Sequence, residues 1–138
     1  IQASYERYDF HTVTQQLQHF CSEDLGSFYL DILKDRLYTA GESSTARRSA
    51  QNALYHITQS LARWIAPILS FTGEEVWVVL NGKEDVSVFE QQWYELPSHN
   101  EGEGFIQGWQ DIRDAREVAN KQIEEQRAQG ALGSSLQA

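Results

Sequence analysis

Five side chains suited to contacts with phosphate and with unpaired bases lie on either side of one short polar segment. They are Lys34, Arg36, Tyr38, Arg47 and Arg48. Cationic side chains bind phosphate oxygens and aromatic rings stack on bases, so this mixture is typical of an RNA-binding surface. The segment between them, "TAGESST" at residues 39–45, has the composition of a loop. If the helices that flank this loop are antiparallel, the two clusters meet at one end of the molecule.

Other residue types that do chemistry form no recognisable site. The histidines and the cysteine are His11, His19, Cys21, His56 and His99, and no pair among them has zinc-ligand spacing. Carboxylates are plentiful, but the pairs Glu23/Asp24, Glu74/Glu75 and Glu124/Glu125 are adjacent in sequence, so they diverge by about 100° on a helix and do not form a dyad. We therefore expect no catalytic residue and no metal site. A pocket that joins His11, His19 or His56 to a carboxylate would instead indicate a self-contained enzyme.

Composition bounds the remaining possibilities. The chain has 138 residues, 41% of them hydrophobic and 22% charged, which are ordinary globular values. Its net charge of −9 argues against a nonspecific coat on nucleic acid. The charge is uneven, with five basic and two acidic residues between Lys34 and Arg63. No apolar run is long enough to span a bilayer. The chain begins at Ile1 and contains no methionine, so we expect it to be part of a longer polypeptide.

Helical periodicity is the main structural signal. Apolar residues step by three or four from Phe10 to Phe20, and Ser22 is predicted to cap a second short helix. A long helix is predicted from about Thr45 to Ile68, and it should kink or loosen at Pro67, where the chain changes direction. A further helix is then expected to begin at Thr72, which forms a capping box with Glu75. The ends of these last two helices make a corner that we expect three aromatic side chains to fill: Trp64, Phe71 and Trp77.

The polar side of the long helix is predicted to carry Gln59 and Arg63. After the corner, residues 81–104 are polar and rich in turn formers, and we expect an irregular surface connector with "VSVF" as a short extended piece. A last helix is predicted from about Phe105 to a C-cap near Gly130. The fold class is therefore all-α, an antiparallel bundle of four to five helices with one long irregular connector. We expect a helical domain over residues 1–132 and a tail over residues 133–138.

Three stretches resemble bacterial isoleucyl-tRNA synthetases. They are "RYDFHTVTQQLQHFCSEDLGSFYLDILKDRLYT", "ARRSAQNALYHITQSLARWIAPILSFTGEEVW" and "IRDAREVANKQIEEQRAQGALGSSLQA". The similar region of that family is the helical anticodon-binding domain that follows the catalytic core. The resemblance covers nearly the whole chain except residues 81–104. A looser form of the "APILSFTGEEVW" pattern occurs in the related valyl and leucyl enzymes, which stay open as alternatives.

The resemblance implies a cytoplasmic class I ligase that activates isoleucine with ATP and charges tRNA-Ile. The ATP-site signatures His-Ile-Gly-His and Lys-Met-Ser-Lys-Ser and the zinc-binding cysteines of the family are not in this sequence. The chain is therefore expected to be a non-catalytic part of an isoleucine-tRNA ligase that itself holds neither ATP nor zinc. Its implied partners are tRNA-Ile and the catalytic and C-terminal domains of the same polypeptide, with no DNA and no membrane.

By position, the resemblance assigns tRNA contact to the same five residues named first, without assigning individual nucleotides. One rival from a different class stays open, a helical protein-interaction module with no RNA role. Scattered positions for Lys34, Arg36, Arg47 and Arg48 would favour that rival.

Overall fold

The structure is a computed structural model that describes residues 1–82, 86–98, 101–131 and 133. Every regular element in these ranges is helical, so the predicted all-α class is confirmed. The chain divides into two compact units, Ile1–Leu96 and Pro97–Ala138. The elements of the first unit are α1 (Gln2–Glu6), α2 (Phe10–His19), a π-helix (Phe20–Leu30), α3 (Asp31–Tyr38), α4 (Thr45–Ile65), α5 (Ser70–Asn81) and a 3-10 helix (Val88–Glu90). The second unit contains α6 (Glu103–Ala128).

The helical path from α2 through the π-helix to α3 has no break. Asp9 begins it as the N-cap of α2, where its Oδ1 accepts from the Thr12 backbone N–H at 3.2 Å. The predicted cap at Ser22 is wrong, because Ser22 lies inside the π-helix and its hydroxyl donates to the His19 carbonyl. No residue between α2 and α3 interrupts the backbone ladder, so one continuous rod replaces the two short helices that we predicted.

Helix α4 begins as predicted and ends earlier than predicted. The Ser44 hydroxyl caps it by accepting from the Arg47 backbone N–H at 3.2 Å. Its last residue is Ile65, and the Ile65 carbonyl accepts from Leu69 N–H at 2.7 Å in the turn that carries Pro67. Proline cannot donate to the helical ladder, so α4 ends here and the chain changes direction at Pro67, as predicted. Only the predicted extension of the helix to Ile68 is wrong.

Helix α5 follows at once and turns back against α4. It begins after Leu69 without a side-chain cap, so the predicted capping box at Thr72 is wrong. Gly73 packs directly on Ala66, and a Cβ at Gly73 would lie 2.8 Å from the Ala66 Cα. This close approach fixes which face of α5 meets α4. The direction in which the chain leaves Pro67 therefore sets where α5 starts.

The corner between α4 and α5 holds a small buried cluster. Trp77 is buried, as predicted, together with Ala62, Ala66 and Val88. Phe71 is 89% exposed, which overturns its predicted place in the corner. Gly73 and Trp77 are four residues apart on the face toward α4, whereas Phe71 is two residues from Gly73 and falls on the opposite face.

The first part of the connector is docked onto this corner. The predicted extended piece at "VSVF" is wrong, because residues 88–90 form a 3-10 turn whose Val88 is buried. The Glu74 carboxylate accepts from Val88 N–H at 3.0 Å and from the Ser87 hydroxyl at 2.9 Å. These hydrogen bonds explain why a polar segment without a helical pattern still takes one conformation here.

The second unit is described on its own. Helix α6 lies within two residues of its predicted bounds, and Gly130 follows it with a φ of +73°, as a C-terminal glycine should. Phe105 and Trp109 lie edge-to-face on α6 with centroids 6.3 Å apart. Most of the predicted tail at residues 133–138 lies outside the described residues, and its boundary stays a prediction.

Candidate functional site

The loop between α3 and α4 brings the two predicted cationic clusters to one end of the first unit. Helices α3 and α4 pack against each other, and only residues 39–44 separate them. The loop is held by its own backbone, where Thr39 N–H donates to Asp35 O at 2.9 Å and Ser44 N–H donates to Gly41 O at 2.9 Å. The five residues predicted for RNA contact therefore share this end of the helix pair, which we call the cationic tip. The cationic tip comprises Lys34, Arg36, Tyr38, Arg47 and Arg48.

Within the cationic tip, Lys34 is paired on its own helix. Its Nζ lies 2.8 Å from Asp31 Oδ1, and the side chain remains 67% exposed. The hydrogen bond and charge of Asp31, with a smaller contribution from Tyr38, raise the pKa of Lys34. An exposed pair of this kind is weak. A phosphate could therefore compete with Asp31 for the ammonium group.

The two adjacent arginines of α4 do different things. Arg47 is half-buried, its Nη1 donates to the Ala40 carbonyl at 3.5 Å, and its Nε is buried without a partner among the described residues. Arg48 is exposed. Neighbouring residues on a helix point about 100° apart, so one guanidinium turns onto the loop and the other to solvent. Arg47 thus positions the loop, and Arg48 is the residue of the pair that is open to a ligand.

Arg36 and Tyr38 complete the exposed part of the cationic tip. Tyr38 is 82% exposed, which leaves most of its ring free to stack. Arg36 is exposed and lies close enough to the half-buried Tyr29 for its charge to oppose the rise that burial causes in the Tyr29 pKa. In the described part of the chain, neither Arg36 nor Arg48 forms a side-chain hydrogen bond or ion pair.

The opposite end of α4 carries an arginine that the sequence did not single out. Arg63 Nη1 donates to the Gln59 carbonyl at 2.7 Å and to Gln59 Oε1 at 2.6 Å, and its Nε donates to the Gln92 carbonyl at 2.9 Å. Its Cζ lies 4.5 Å from the ring centre of Trp77 and 5.2 Å from that of Tyr94. Desolvation lowers the Arg63 pKa. This group holds the connector to α4.

Gln59 shares the polar side of α4 with Arg63, as predicted, but this side is not open to solvent there. Gln59 is 3% exposed and also donates to Asn81 Oδ1 at 3.3 Å. The connector covers this face, and a connector of irregular sequence leaves no periodic signal in α4 itself. The only hint in the sequence that this face is covered was the pair of polar residues, Thr58 and Gln59, directly before the "SLARW" segment.

Three of the four histidines lie within the described residues. His11 and His19 are exposed, and His56 Nδ1 lies 2.6 Å from Tyr94 Oη. His99 lies outside the described residues. Over the described ranges there is no group of three or more His, Cys, Asp or Glu side chains arranged to hold a metal ion.

Comparison with known proteins assigns the chain to a family. The family model "Anticodon-binding domain of tRNA ligase" matches residues 1–138. The chain belongs to this family. Curated relatives named isoleucine–tRNA ligase include one from Dechloromonas aromatica, 58% identical over 99% of this chain and 15% of the relative. The relative from Thiobacillus denitrificans is 54% identical over 100% and 15%, and that from Neisseria meningitidis is 55% identical over 97% and 15%.

The chain therefore spans about one seventh of the length of these relatives. The family and the all-α fold class are those that the sequence resemblance implied. The match also covers residues 81–104, which the resemblance did not include. None of the helices in the described ranges combines the length and apolar character needed to cross a membrane.

Proposed function

We propose that this chain is the part of a cytoplasmic isoleucine–tRNA ligase that grips the anticodon stem and loop of tRNA-Ile. The catalytic and C-terminal domains of the same polypeptide would be its other partners. Binding and use of ATP, and of zinc, would belong to those domains. The level of identity to isoleucine–tRNA ligases supports this assignment over the valyl and leucyl alternatives.

The observation that carries the proposal is the cationic tip. Arg36 and Arg48 are exposed and have no side-chain hydrogen bond or ion pair among the described residues, and Tyr38 at the same end of the helix pair is 82% exposed. Guanidinium groups bind phosphate through paired N–H donors, and an exposed ring stacks on a base in a loop. We assign Arg36, Arg48 and Tyr38 to direct contact, Lys34 to contact in competition with Asp31, and Arg47 to holding the loop.

The net charge of −9 limits the strength of this contact. With three to five phosphate contacts, the logarithm of affinity would fall against the logarithm of salt concentration with a slope of roughly −0.7 to −0.9 per contact. The isolated chain is therefore expected to bind tRNA weakly and to lose it quickly as salt rises. A protein-interaction module would show no such salt-dependent preference for tRNA.

The test is a titration of the chain with tRNA-Ile and with a second tRNA at two salt concentrations. Reversal of charge in Arg36→Glu/Arg48→Glu should weaken tRNA binding at both salt concentrations and reduce the salt slope by about two contacts. The control is Lys121→Glu, which reverses one exposed charge on α6, and its tRNA affinity is compared with that of the single variant Arg48→Glu. Equal binding by wild type and the double variant would exclude the cationic tip as the tRNA site.

A further inference from the structure

A second surface of the first unit carries a row of four aromatic rings. Tyr8 and Phe10 lie edge-to-face with centroids 6.2 Å apart, and Phe10 and Tyr5 do the same at 6.0 Å. Tyr5 then stacks on Trp93 at 5.5 Å with an interplanar angle of 27°. We call these four residues the aromatic ladder. Because aromatic surface of this extent is normally buried, its presence at the surface calls for an explanation.

The aromatic ladder is tied to α4 through Tyr5 and is partly open to solvent. The Tyr5 hydroxyl donates to the Trp64 carbonyl, which fixes the ring that supports Trp93. Tyr8 is 79%, Phe10 46% and Trp93 41% exposed. Tyr8 also has a φ of +57°, a left-handed conformation that is uncommon for an aromatic residue. Backbone strain of this kind is retained mostly where a site needs it.

Trp93 opens into a groove of about 660 Å³. The residues that line the groove include the amide-bearing Gln2 and Gln92, the acidic Glu95 and the aromatic Phe89. Arg63 is the one cation among the described wall residues, and its Nε and Nη1 are bonded to Gln92 and Gln59. The negative charge of Glu95 in the wall offsets the positive charge of Arg63, so the groove has no excess positive charge that would select a phosphate group.

The same walls suit the edge of a base. Amide side chains both donate and accept hydrogen bonds, and a carboxylate accepts from an exocyclic amine. An aromatic platform beside such groups is how proteins hold unstacked bases of RNA. We infer that the groove beside Trp93 binds one unstacked nucleobase of the tRNA, about 24 Å along α4 from Arg47 at 1.5 Å per residue. This rests on the proposed function and adds a second, uncharged contact to it.

The test compares two substitutions of one ring in the tRNA titration described above. Trp93→Leu removes stacking and should weaken tRNA affinity on the order of tenfold, whereas Trp93→Phe keeps a ring and should stay within about threefold of wild type. Stacking releases few counterions, so Trp93→Leu should leave the salt slope unchanged. Phe71→Leu, at an exposed ring outside the ladder, is the matched control and should bind as wild type does.

The outcomes separate this inference from the proposed function. Wild-type affinity in Trp93→Leu, or an equal loss in Trp93→Leu and Trp93→Phe, overturns the base site and leaves the cationic tip intact. Failure of the wild-type chain to bind tRNA at low salt overturns both.

A second measurement keeps the inference testable if Trp93→Leu does not fold. The unmodified chain is photocrosslinked to tRNA that contains 4-thiouridine, and the crosslinked peptides are mapped. A crosslink within residues 86–96 supports the site, and crosslinks confined to other peptides overturn it. Acrylamide quenching of Trp93 in the full ligase without tRNA is a further check. If a protein segment shields Trp93 from the quencher there, the base site is overturned.

Discussion

The two ends of α4 use arginine in opposite ways. At the N-terminal end, Arg48 is exposed and its guanidinium is free within the described residues. At the C-terminal end, Arg63 donates three hydrogen bonds and lies between the rings of Trp77 and Tyr94. One end is thus built to meet a charged ligand, and the other is built to hold the chain together. Residue type alone does not distinguish these roles, because the difference lies in what the neighbouring segments bring to each end.

The sharpest way to break this comparison is to remove the ring beneath Arg63. Trp77→Ala leaves a cavity in the buried cluster and strands the Val86 carbonyl that Trp77 Nε1 binds at 2.8 Å. We expect the free energy of unfolding to fall by about 3–5 kcal/mol. Tyr38→Ala in the cationic tip should change it by no more than about 0.5 kcal/mol. Urea unfolding followed by circular dichroism measures both, and similar values for the two variants would erase the distinction between the ends.

A pair of glycines tests the same distinction through the backbone. Gly73→Ala places a methyl group 2.8 Å from the Ala66 Cα, so α4 and α5 must separate. The expected loss of stability is about 1–3 kcal/mol. Gly41→Ala in the loop of the cationic tip meets nothing within 4 Å and should be nearly neutral. Thermal unfolding of both variants decides the point, and a loss at Gly41 as large as that at Gly73 would contradict it.

Replacement of each arginine by lysine sharpens the comparison further. Arg63→Lys keeps the charge but cannot reach both Gln59 and Gln92 while it stacks, so we expect a loss of about 1–2 kcal/mol in stability. Arg48→Lys should leave stability unchanged and keep most tRNA binding, because a lysine still neutralises a phosphate. The two variants are compared by urea unfolding and by tRNA titration. An Arg63→Lys variant that is as stable as wild type would show that the connector does not need the planar guanidinium group.

The smallest expected effect concerns pH and the start of α2. Hydrogen bonds from Thr12 lower the Asp9 pKa, so Asp9 binds its proton more weakly in the folded chain than in the unfolded chain. Its contribution to stability is therefore complete above the ordinary aspartate pKa of about 3.9 and is lost as the pH falls through the lower folded value. Asp9→Asn caps a helix without titrating, so its unfolding midpoint should depend less on pH below 4. If the unfolding midpoints of wild type and Asp9→Asn depend on pH in the same way, Asp9 is not the origin of this pH dependence.

The contrast between the ends also explains which features the sequence could predict. The apolar stripes of α2, α4 and α6 are local patterns, and the bounds of these helices follow from them within a few residues. The burial of Gln59 and the role of Arg63 depend on the connector around Gln92, which lies about thirty residues further along the chain. Phe71 was misplaced because the exit from Pro67 moved the start of α5.

The candidate site divides in the same way. The shared location of Lys34, Arg36, Tyr38, Arg47 and Arg48 follows from the short loop between two helices that pack together. Which arginine faces solvent depends on a register of one residue, and the composition of the loop does not fix that register. The aromatic ladder was not predicted because Tyr5 and Trp93 are distant in sequence and meet only in the folded chain.

The π-helix from Phe20 to Leu30 bears directly on how the cationic tip is aimed. A wider winding over eleven residues turns α3 about its axis relative to the orientation that uninterrupted α-helical hydrogen bonding would give. Deletion of a single residue in this stretch would let the rod relax toward ordinary winding and change the direction in which Arg36 and Tyr38 point. The direction in which α3 presents its charge is thus set by the segment that precedes it.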